Sequence, residues 1–88
     1  MDNKYKYQAP RHNIGDVIKN TIYKNVQFIV TYVSDRSYLL TLLIAEDEVL
    51  PEGWFIGKEI VVDIELVDHA SVYIRKCTNA EKILYSRG

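Results

Sequence analysis

A single cysteine, Cys77, leaves this chain of 88 residues no internal disulfide, so it must hold its fold by packing and needs no oxidising compartment. No apolar run approaches the roughly 20 residues that span a bilayer, and residues 1–7 lack the apolar stretch of a signal peptide. A soluble, cytoplasmic protein is the expectation. Net charge is only −1, so no overall field draws the chain to nucleic acid or to an anionic membrane. The four glycines stand apart from one another, which removes the phosphate-cradling glycine loop. HExxH, GxSxG and the paired-cysteine spacing of zinc sites are absent as well.

What is there is ordinary globular composition, 48% hydrophobic and 26% charged. A chain of this length buries roughly 60–65% of the surface its unfolded form exposes, enough for one core and one domain. Ten Ile, seven Lys, seven Tyr and five Asn stand against four Ala. Their codons are AT-rich, which points to a low-GC bacterium or its phage and says nothing of mechanism. Residues 1–13 are polar and aromatic without a sustained period, and Pro10 interrupts regular pairing. They read as a loosely held arm, pinned by Tyr5 or Tyr7, before a domain at 14–88.

The strongest pattern lies between Lys58 and Arg75. Ile60, Val62, Ile64, Leu66, Val72 and Ile74 share one parity, and Glu59, Asp63, Glu65 and Arg75 take the other. A period of two assigns these sets to opposite faces of strand, with a hairpin turn expected at Asp68-His69-Ala70-Ser71. Upstream, Val17 to Lys19 enters a short strand after the Gly15-Asp16 turn. Val26, Phe28, Val30 and Tyr32 alternate with Gln27, Ile29, Thr31 and Val33 in a β-branched and aromatic run. Ser34-Asp35-Arg36-Ser37 is polar and of hairpin length. Tyr38 to Ala45 fits either a strand buried on both faces or a leucine-rich helix. Strand is preferred, because the acids that follow would crowd a helix C-terminus. Glu46 to Gly57 is a loop by composition, and Thr78 with Glu81 makes a capping box for a brief C-terminal helix.

Five or six short antiparallel strands in so short a chain point to a mainly β fold, a small barrel whose closure hides its strand edges. Ile14-Gly15-Asp16-Val17-Ile18-Lys19 resembles the first strand of SH3-like barrels, and Phe55-Ile56-Gly57-Lys58-Glu59-Ile60-Val61-Val62 resembles the glycine-led entry to a later strand of such domains. The resemblance implies an SH3-like barrel; an OB-like barrel reads almost the same. Neither supplies a catalytic motif.

Candidate chemistry is sparse. His12, His69 and Cys77 match no zinc spacing, and His12 falls in the arm, so surface or turn positions are expected and no metal or cofactor. Asp68, His69 and Ser71 contain the residue types of a hydrolase relay but are packed into one turn, where turn formation is the simpler role. No catalytic residue is assigned. Charge is distributed unevenly: residues 31–68 carry nine acids against two cations, while both flanking segments are net positive. Glu46, Asp47 and Glu48 head that acidic stretch, whose bland reading is a solvated face. Trp54 and Phe55 sit at a loop edge, either as binding anchors or as a lid on the core. Tyr38, with Tyr23 and Tyr73, is a candidate contact residue. The expectation is a non-enzymatic module that binds a partner protein through Glu46, Asp47, Glu48, Trp54, Phe55 and Tyr38, in the style of a phage or prophage accessory protein acting on a host factor. Nucleic-acid binding along the basic ends and capture of a planar small molecule or nucleotide remain the alternatives.

Overall fold

A computed structural model of the chain describes residues 10–21, 25–46 and 50–85. Strands β1 (Asp16–Asn20), β2 (Val26–Val33), β3 (Ser37–Ala45) and β4 (Glu59–Asp63) come first. Helix α1 (Ile64–His69), strand β5 (Ser71–Lys76) and helix α2 (Asn79–Tyr85) follow. All five strands lie in one antiparallel sheet, ordered β4-β3-β2-β1-β5. The first four form a meander, and α1 carries the chain across so that β5 pairs with β1.

The strand expectations upstream of residue 46 hold. The polar quartet closes the β2–β3 hairpin, with the Ser34 amide donating to the Ser37 carbonyl at 2.8 Å. Tyr38 to Ala45 is strand, not helix, flanked by β2 and β4. Tyr38, Leu40 and Leu42 are buried on one face, and Thr41 and Leu43 on the other. The core combines the first set with Ile18, Val26, Phe28 and Val30, and closes under Ile64 and Val67 of α1.

Beyond β4 the alternation misleads. Instead of continuing as strand to a hairpin, the chain coils into α1, and β4 and β5 end up at opposite edges of the sheet. Ile64 and Val67 are spaced i, i+3 and point together into the core, while Leu66 is 62% exposed. Six residues cannot display both periods unambiguously, and reaching the far edge of the sheet requires a crossing segment rather than a tight turn. Val72 and Ile74, expected inside, are exposed on the edge strand β5. The sheet does not close on itself. The barrel expectation is met at the coarser level, as a mainly β domain with five antiparallel strands and two short helices.

The capping box forms as expected. The Thr78 amide donates to Glu81 Oε1 at 2.8 Å, and the Glu81 amide donates to Thr78 Oγ1 at 3.1 Å. Arg75 on β5 also clamps Glu81 through two bonds of 2.8 and 2.9 Å, tying α2 to the sheet. That guanidinium, helped by the Thr78 amide, holds the Glu81 carboxyl down at about 2.

Candidate functional site

The loop between β3 and β4 is stapled rather than loose. The Trp54 amide donates to the Pro51 carbonyl at 3.1 Å, and the Lys58 amide to the Phe55 carbonyl at 2.9 Å, which makes two successive turns. Gly57, at φ +94°, is left-handed, and its amide reaches the Leu42 carbonyl at 2.7 Å. A side chain with a β-carbon would be strained there. This anchoring divides the two aromatic candidates. Trp54 is half-buried against the core, its ring edge-on to Phe28 at 5.9 Å. Phe55 is 59% exposed, with Ile56 exposed beside it and the Lys58 ammonium 5.8 Å from its ring centre. Trp54 therefore packs on the core, as a lid would, and Phe55 is presented to solvent.

The acidic candidates fall partly in view. Glu46 and Glu52 are exposed on this loop, whereas Asp47 and Glu48 lie outside the described residues. The acidity continues along the sheet edge, where Glu59 and Asp63 of β4 and Glu65 of α1 are exposed. The cations of β5 are already engaged: Arg75 with Glu81, and Lys76 with Asp16 at 2.6 Å.

Tyr38 must be corrected. Its side chain is 0% exposed, so it is unavailable to a partner or a base. Its hydroxyl instead organises a polar cluster at the corner of α1 and β5, donating to Asp68 Oδ1 at 2.7 Å and accepting the His12 amide at 3.1 Å. Burial, and then the bond to Asp68, push the phenol up to about 12. The placement of His12 at the surface is likewise overturned: it is buried, and Nε2 lies 3.1 Å from Ser71 Oγ and 4.0 Å from Asp68 Oδ1. Arg11 closes the corner, its amide donating to Asp68 Oδ2 at 3.2 Å and its guanidinium to the Asp68 carbonyl. The last residues of the arm are thus clasped to the domain. His12 and Ser71 stand 59 positions apart, and no local pattern announces their contact.

The cluster assembles Ser, His and Asp, yet its geometry is not that of a nucleophile relay. Ser71 Oγ donates its proton to the Val67 carbonyl, so towards His12 it can only accept. His12 is then the tautomer protonated at Nε2. A relay needs the imidazole to take the hydroxyl proton at one nitrogen while a carboxylate holds the other. Here Ser71 and Asp68 both approach the same nitrogen. The arrangement serves as a structural clasp.

Burial depresses the pKa of His12 below its ordinary 6.5, against the opposing pull of Asp68. Below pH 6.5 the unfolded chain binds a proton that the folded chain resists. Stability from this group is therefore complete above pH 6.5 and falls as pH drops towards the folded pKa. The expected slope is at most about 1.4 kcal/mol per pH unit, the limit for one proton. Urea unfolding of the wild type and of His12→Asn between pH 7.5 and pH 5, on the order of two units apart, should show this slope only in the wild type.

A groove of about 300 Å³ is bordered by Ile14, Ile29, Thr31, Cys77 and Lys82. Among the described residues no aromatic ring lines it. Among the described residues, no three His, Cys, Asp or Glu side chains gather as metal ligands. No helix among them is long and apolar enough to cross a membrane. Comparison with protein-family models, with curated proteins and with solved structures gives no match to this chain.

Proposed function

We propose that the protein is a binding module for another protein, and that the β3–β4 loop carries the contact. The observation behind this reading is Phe55 with Ile56: two large apolar side chains exposed on a loop stapled by backbone bonds and bordered by Glu46 and Glu52. Rigid exposed aromatics cost little entropy to dock and recur as interface anchors. The acidic border favours a partner with a basic rim. The SH3-like reading of the sheet belongs to the same proposal, supported by a four-stranded meander whose crossing helix returns the fifth strand beside the first. Nucleic-acid binding is the weaker reading. Of the three tyrosines considered for stacking, Tyr38 is buried, Tyr23 lies outside the described residues, and only Tyr73 is exposed.

The test is cross-linked capture of the partner in the native host by wild type and by the double variant Phe55→Ala, Ile56→Ala. Captured partner is expected to fall at least about tenfold, as for anchor truncation, with the melting temperature nearly unchanged. Equal capture by both proteins overturns the loop assignment. In parallel, labelled oligonucleotides should show no mobility shift at low salt, where phosphate contacts would be strongest.

A further inference from the structure

Residues 10–12 run into the domain as a short strap whose hold on it is polar. Arg11 is exposed and Pro10 half-buried, so His12 is the one buried side chain of the three. None of them belongs to the core cluster, and none takes part in strand pairing. The strap is fastened by the Arg11 amide to Asp68 Oδ2 and by the Arg11 guanidinium to the Asp68 carbonyl. The His12 amide adds a bond to the Tyr38 hydroxyl, and its ring meets Ser71. The fixed part of the chain begins at the next residue. There the Asn13 amide donates to Asp16 Oδ2 at 2.8 Å, and the Asp16 amide returns to the Asn13 carbonyl at 3.0 Å. Gly15 is then tied on both sides, its amide to the Val30 carbonyl and its carbonyl to the Cys77 amide, each at 2.8 Å.

The corner beneath the strap satisfies its own groups without it. Tyr38 bonds Asp68 Oδ1 at 2.7 Å and Ser71 bonds the Val67 carbonyl, and neither bond involves residues 10–12. Lifting the strap therefore breaks contacts that water can replace and leaves the sheet ladder intact, which is the condition for a local opening. A charge on His12 favours that opening. The ring is 3% exposed, and the neighbouring Arg11 guanidinium repels an imidazolium. Asp68 of α1 and Asp16 of β1 pull the other way. Asp68 already accepts the Tyr38 hydroxyl and the Arg11 amide, and at 4.0 Å from Nε2 it makes no hydrogen bond to the ring. Tyr38 of β3, its phenol pushed up to about 12, carries no charge near neutrality, and Ser71 of β5 has none to offer. Burial outweighs the two carboxylates, so the closed strap prefers the neutral ring.

We propose that residues 10–12 are an acid-released strap: protonation of His12 lifts them from the corner of α1 and β5, about a hinge between His12 and Asn13, while the sheet stays folded. In the open form the imidazolium is solvated, and the Tyr38–Asp68 pair and Ser71 face water. Loss of the proton returns the ring to Ser71 and closes the corner.

Native-state hydrogen exchange of the full chain, followed by NMR and corrected for the intrinsic pH dependence of amide exchange, is the test. Protection of the Arg11 and His12 amides should fall by up to about tenfold for each pH unit below 6.5, until the folded pKa is reached. Low urea should scarcely change their exchange, because a local opening exposes little surface. The amides of β2 and β3 should show the steep urea dependence of whole-domain unfolding. The His12 ring resonances should titrate together with the Arg11 and His12 amide shifts. His12→Gln, whose side-chain amide can still donate to Ser71 but takes up no proton, should keep strap protection constant from about pH 7.5 to about pH 5. Strap amides as urea-dependent as those of β2 and β3 overturn the proposal, since the corner then opens only with the whole domain. A ring that titrates while the strap amides keep their closed-state shifts overturns it too, as does the same pH dependence in His12→Gln. Should the glutamine variant fail to fold, the urea series and the ring titration of the wild type decide the question.

Discussion

Replacing Tyr38 with phenylalanine is expected to lower the unfolding free energy by about 3 kcal/mol, although only one oxygen is removed. The ring keeps its place in the core between β2 and β4, so no cavity of consequence opens. The loss is polar. The hydroxyl donates to the Asp68 carboxylate at 2.7 Å, and bonds to charged groups are worth about 1.5–3 kcal/mol. It also accepts the buried His12 amide at 3.1 Å, and an abandoned buried donor costs about 1–3 kcal/mol more. The two effects share one network and do not add fully. Urea unfolding should show a lower midpoint with an unchanged slope. A spectrophotometric titration of the wild type should show one tyrosine ionising at about 12, missing from the variant. A loss under about 1 kcal/mol would mean that water satisfies the corner as well as the phenol does.

Trp54→Ala is expected to cost about 2–3 kcal/mol, towards the lower end of aromatic truncations because the ring is half-buried. Its indole stands edge-on to Phe28 and packs against the core cluster, so removing it uncovers that ring. In a domain of this size the melting temperature should fall by roughly 10 °C or more. Phe55→Ala, one residue along, should stay within about 0.5 kcal/mol of wild type, because its side chain is largely exposed to solvent. Thermal melts of the two variants side by side therefore separate lid from anchor. Equal destabilisation by both would place Phe55 in the core as well and remove the docking surface built on it.

Adjacent and chemically alike, these residues could not be told apart by composition. Their roles are set by which backbone bonds the loop makes, and those bonds run to the Leu42 carbonyl in another strand. The same limit applies to Tyr38. In an alternating strand its parity marked it as buried or exposed but did not say which, and its hydroxyl partners come from the arm and from α1. Ser71 and Asp68 were visible as residue types in one turn; that His12 would join them was not.

Local information served well where the period was long and the flanking signals agreed. β2 and β3 carry eight and nine residues, and three polar residues, Ser34 to Arg36, lie between them. Thr78 and Glu81 needed only each other to define the start of α2. The stretch from Ile64 to His69 failed for the opposite reason. Ile64 and Leu66 fit a strand face, Ile64 and Val67 fit a helix face, and six residues cannot exclude either.

The amino-acid order by itself determined a small β-rich domain, because period-two burial and hairpin chemistry are properties of neighbours along the chain. Tertiary structure alone decided that β4 and β5 part to opposite edges. It also decided that an arm histidine closes a buried polar corner. Each of these depends on which backbone groups find partners many residues away. That competition is settled only when the whole sheet assembles, since every N–H and C=O within it must be bonded or left facing water.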